Sequence, residues 1–134
     1  EAAEHVLASA EPGRRALLAI RAYFYAHIPM LLGLVVAAAG IHEAVAHPDT
    51  TMRLGGAIAL GGGVALFLSG DAEFRRVLHV GPAWWRLAAA TAALATVPLG
   101  LVAAAVVQLG VLVVLIAVML VVENLVLSPI TTTG

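Results

Sequence analysis

The sequence predicts an all-α membrane protein, four transmembrane helices in an up-and-down bundle with both termini on the inner side. Three observations carry that prediction. Of 134 residues, 62% are hydrophobic and 11% charged, where a soluble domain averages about a quarter charged. The apolar residues fall in runs near the roughly 20 residues a helix needs to cross a bilayer. The arginines Arg14, Arg15, Arg21, Arg75, Arg76 and Arg86 fall on one side of those runs and Arg53 on the other, which by the positive-inside rule places N-in and C-in.

Composition also excludes several functions. The formal net charge of −1 offers no basic face to nucleic acid. With no cysteine, disulfides, thiolate metal sites and thiol nucleophiles are absent. All seven basic residues are arginines, so no lysine is present to form a Schiff base. The opening EAAEHVLASAEP lacks the positive stretch of a signal peptide, and the chain reads as a processed product or a piece of something longer.

Residues 1–11 read as a short inner-surface helix or the end of a truncated one, closed by Pro12-Gly13. The first span covers about 22–46 and carries Pro29, which removes a backbone donor and kinks the helix. Pro48 ends it and biases His47 away from helical geometry. The second span, about 52–70, is rich in glycine. Such a run is a poor helix in water, but in lipid it lets backbones approach, and Gly55, Ala59 and Gly63 recur at i, i+4, i+8 as a packing face. A phosphate loop is excluded, because no Lys-Ser/Thr follows the glycines.

Residues 71–86 read as an inner-surface loop with one helical turn, in which Asp71 and Arg75 pair at i, i+4. Trp84 and Trp85 suit the membrane interface. From Leu87 to Leu127 Glu123 is the only charge. A single helix of that length would be about twice the bilayer thickness, so the run divides into spans of about 85–103 and 107–127. Their turn falls within 100–110, and Pro98 kinks the third span. The β-branched fourth span is helical because lipid admits only helices or closed barrels and strand alternation is missing.

The stretches from Ala3 to Pro48, GGAIALGGGVALFL and Phe74-Arg75-Arg76 resemble the C-terminal part of the bacterial low-temperature-requirement A family. The similarity covers residues 2 to about 125 and is closest at Ala22–Pro29, at Ala46-His47-Pro48 and in the Gly-rich span. It implies a multi-pass inner-membrane protein with more spans than this chain holds, and a link to growth at low temperature. It supplies no catalytic residue to carry over.

Ionisable groups inside a membrane are functional candidates because isolating each in lipid is costly. The candidates are Tyr23, Tyr25, His27, His42, Glu43 and Glu123. His27 could relay protons or bind haem, but a hydrogen-bonded packing histidine is the more common case. Tyr23 and Tyr25 suit an aromatic belt. His42, Glu43, His47 and Asp49 suggest a metal cluster, yet the histidines are not at the i, i+4 spacing a helical zinc site needs, so helix-end polarity is the better reading. Glu123 either snorkels or pairs with a basic group. In a closed bundle the first and last helices adjoin, so its expected partner is His27, or else Arg21 or Tyr23.

The sequence thus points to a non-enzymatic membrane bundle, transporter-like or stress-related, in contact with the lipid bilayer, with no cofactor or metal assigned and no nucleic acid. One alternative is an accessory subunit of a larger membrane complex or a homo-oligomer, meeting its partner through the glycine face. Another is a small proton-coupled exporter, for which Glu43 lies too near the outer end. A b-type cytochrome is least favoured, because histidines occur in only one span.

Overall fold

A computed structural model describes residues 12–127, all-helical with no strand among them. Helix α1, Pro12–Ile20, runs through a widened π turn at Arg21–Tyr25 into α2, Ala26–Ala46. Helix α3 is Leu54–Leu78; α4, Trp84–Ala95, and α5, Val97–Val102, follow as one broken rod; α6 is Ala105–Leu127. The rods Pro12–Ala46, Leu54–Leu78, Trp84–Val102 and Ala105–Val126 are long and apolar enough to cross a membrane.

The boundaries differ from the sequence expectation where local chemistry permits continuation. The helix expected over residues 1–11 lies outside the described residues, which are helical from Pro12 onward. Pro29 leaves the carbonyl of Tyr25 without its donor, and the π turn ends at that residue. The second span does not stop at Gly70. It runs on to Leu78, so the expected loop shrinks to residues 79–83. His79 closes the helix at φ 53°, with Val80 N donating to Arg75 O at 3.0 Å, a left-handed C-terminal cap. Pro98 breaks the third rod at Thr96, whose Oγ1 donates to Ala93 O at 2.7 Å. The last turn lies at residues 103–104.

Helices α2 and α3 form the tightest pair. Descending α2 positions Glu43, Gly40, Ala37, Gly33 and Met30 meet ascending α3 positions Gly56, Leu60, Gly63, Phe67 and Gly70. A Cβ at Gly63 would collide with the backbone of Ala37, and one at Gly40 with the backbone of Leu60. The α3 positions alternate by four and three residues, the left-handed crossing pattern. The expected i, i+4, i+8 row winds off that seam. Gly63 therefore lies in it, Ala59 is half-buried at its flank, and Gly55 is exposed with no atom within 4 Å of its Cβ position.

Helix α3 also packs on α4 and reaches α5, while α6 leans on α4, α5, α2 and α3. The 47–53 connection closes one end. Its Thr50 and Pro48 carbonyls accept from Ala105 N at 2.7 Å and Val106 N at 3.1 Å, and Met52 N donates to Gly100 O at 2.8 Å. Two of the first N–H groups of α6, which have no partner within the helix, are thereby satisfied.

Candidate functional site

At the 79–83 end four charged side chains close a ring. Glu123 of α6 meets Arg75 of α3 (Nη1–Oε1, 2.6 Å) and Arg86 of α4 (Nη2–Oε2, 2.7 Å). Asp71 of α3 meets the same two arginines, Arg86 Nη1 at 2.7 Å and Arg75 Nε at 3.5 Å. Each acid touches both arginines, so the four charges alternate and cancel. Arg86 and Glu123 are each only 9% exposed. Each contact is a single charge-assisted one, roughly twice as strong as a neutral hydrogen bond, and burial makes each member depend on the others, because a lone buried charge is costly.

The ring depends on the length of α3. Asp71 and Arg75 lie one turn apart on the part of that helix expected to be loop, and helical continuation carries both into the bundle. Glu123 faces the protein interior, but its expected partners are wrong: it pairs with Arg75 and Arg86, not with His27, Arg21 or Tyr23. Near this end, residues 21–27 pack on another flank of α3. Arg21 Nη2 lies 3.7 Å from Glu73, and the His27 ring sits 6.2 Å from Phe74. Asp71, Arg75 and Arg86 are the members sequence reasoning missed as a site. The available signal was Arg86 itself, the nearest basic residue to the run that holds Glu123.

The other candidates are scattered. Tyr23 stacks on His27 at 5.1 Å, and Tyr25 is exposed. His27 is half-buried, and its Nδ1 has no hydrogen-bond partner. His42, His47 and Asp49 are exposed at the opposite end. Glu43 Oε1 accepts from Arg53 N at 3.1 Å, so this carboxylate sits at the N-terminus of α3, where the helix dipole favours negative charge. Gly56 leaves the room it needs. Among the described residues no group of three or more metal-ligating side chains gathers.

Two further features complete the interior. Gln108 of α6 is fully buried, and its Nε2 donates to Ala57 O at 3.1 Å and to Thr96 Oγ1 at 3.4 Å, tying three rods together. Between α2, α3 and α6 lies an apolar cleft of about 340 Å³, in which Arg86 is the one polar wall.

Long apolar rods sharing a buried, self-neutralised ring of charges define a multi-pass helical membrane protein. The chain belongs to the bacterial low-temperature-requirement A family: the family described as "Bacterial low temperature requirement A protein (LtrA)" matches residues 1–122. No curated protein and no solved structure matches the chain.

Proposed function

We propose that the chain is a non-enzymatic, transporter-like bundle of the bacterial inner membrane that supports growth at low temperature. Both termini would lie on the cytoplasmic side, since Arg21, Arg75, Arg76 and Arg86 gather at the 79–83 end and Arg53 lies at the other. The observation carrying this reading is the ring of Asp71, Arg75, Arg86 and Glu123. Buried ionisable groups in spanning helices are expensive and mark working parts of membrane proteins. Here they join three helices through contacts that must be exchanged if the helices move.

In a bacterium whose own copy of the gene is deleted, the Glu123→Gln protein should fail to restore growth in the cold even when its expression is raised until its membrane level matches the wild type. Full restoration at equal abundance would overturn the reading.

An accessory role in a larger complex or a homo-oligomer draws on a different observation. Leu31, Leu32, Leu34 and Val35 form an exposed apolar stretch on α2. That surface, not the glycine seam, would have to receive the partner, because α2 already fills the seam within this chain.

A further inference from the structure

The 79–83 end holds a second group of charges, outside the ring and differently balanced. Arg21 Nη2 lies 3.7 Å from Glu73 Oε1, and Arg76 Nη1 lies 3.9 Å from Glu73 Oε2. Both separations exceed hydrogen-bonding distance, and among the described residues neither arginine has a closer acid. The two side chains are 61% and 67% exposed. One carboxylate thus faces two cations without bonding either, and one positive charge is left over. The ring, by contrast, matches two arginines with two acids.

These groups line one groove of about 360 Å³, between the start of the first rod and the end of α3. Its other walls are Leu18, Val77 and His79. Leu18 packs against buried Val77 and Leu78, so one side of the groove is apolar and the charges beside it are less screened than in open water. The depth of the groove follows from its neighbours. Tyr23, Phe24 and Tyr25 are exposed and come just after Arg21 on the membrane side of the rod, and exposed Trp84 begins α4. Exposed aromatic rings mark the boundary between lipid and water. Arg21 lies about one turn beyond that belt, at the level of the lipid headgroups.

Charge decides what chemistry fits there. A phosphodiester offers one negative charge and two acceptor oxygens, which suit two flexible guanidiniums held near each other. A zwitterionic head would bring its own ammonium group against Arg21, Arg76 and His79, so an anionic head is preferred. We propose that this groove is a binding site for an anionic phospholipid, whose phosphate is shared between Arg21 and Arg76 while its acyl chains run past the aromatic belt. The site stands on charge balance and depth and does not depend on the transporter-like reading.

The test is native mass spectrometry of the purified chain in mild detergent with dioleoyl phosphatidylglycerol, compared with dioleoyl phosphatidylcholine, which has the same chains and a zwitterionic head. The anionic lipid should be retained about tenfold more tightly. Arg21→Gln and Arg76→Gln should each weaken that preference roughly fivefold, and the double variant should abolish it while helicity by circular dichroism stays unchanged. Glu73→Gln removes the competing carboxylate and should instead strengthen retention of phosphatidylglycerol, a change of sign that a role in holding the fold would not produce. Arg53→Gln, at the opposite end, should leave the preference as it is, and millimolar inorganic phosphate should not displace the lipid. Equal retention of the two lipids by the wild-type chain, or an undiminished preference in the folded double variant, would overturn the site. Weaker retention by Glu73→Gln would overturn the charge argument, an equal loss in Arg53→Gln the location, and displacement by inorganic phosphate the lipid as occupant.

Discussion

Glu123 shows how one side chain's surroundings set its role. In water a glutamate–arginine pair contributes little, but here both carboxylate oxygens are committed to guanidinium groups, the half-buried Arg75 at 2.6 Å and the buried Arg86 at 2.7 Å. Glu123→Gln should therefore destabilise the bundle by about 3 kcal/mol, the scale for breaking one side of a buried pair, read as a lowered thermal midpoint in detergent. Glu123→Leu combined with Arg86→Met should cost less than the sum of the two single changes, because the double variant strands one charge fewer. A different residue-scale cost sits at His79, which adopts φ 53°. Left-handed geometry strains an L-residue by roughly 1–2 kcal/mol, so His79→Gly should raise the thermal midpoint. That Glu123 either snorkels or takes a partner was legible from its isolation in an apolar run. Which partner it takes was not, because that follows from how far α3 continues past Gly70, and no residue between Gly70 and Leu78 forbids helix.

At the scale of elements, the α2–α3 seam is where small residues decide the packing. A side chain at Gly63 would press on the backbone of Ala37, and backbone cannot rotate away as a side-chain tip can. Gly63→Leu should lower stability by about 3 kcal/mol or more, whereas Gly55→Ala, facing open space, should change it by less than about 0.5 kcal/mol. Gly63 belongs to both rows, so the thermal melt of the Gly55 variant is what separates the four-and-three row from the i, i+4, i+8 row. Glycine richness made close helix approach readable from sequence. The face was misplaced because adjacent glycines offer several rows, and the choice among them rests on the crossing angle with α2. The break at Thr96 and the turn at 103–104 were legible because Pro98 and the bilayer thickness constrain them directly.

For the whole molecule, the arrangement predicts that the 47–53 connection and the 79–83 end face opposite sides of the membrane. Single cysteines at the exposed positions Asp49 and Arg76 should react with a membrane-impermeant thiol reagent from opposite sides of intact inner-membrane vesicles; labelling from one side only would refute that arrangement. The sequence by itself determined that the chain is a helical membrane protein of several spans, because hydrocarbon admits backbone only when its hydrogen bonds are closed within a segment. Run length and charge content reveal that condition residue by residue. Tertiary structure alone decided the ring of Asp71, Arg75, Arg86 and Glu123, the in-chain use of the glycine seam, and the cleft that ends on Arg86. Lipid gives apolar helix faces little reason to prefer one neighbour over another. The choice therefore fell to close backbone fit and to a few charges far apart in the chain, whose meeting no local pattern records.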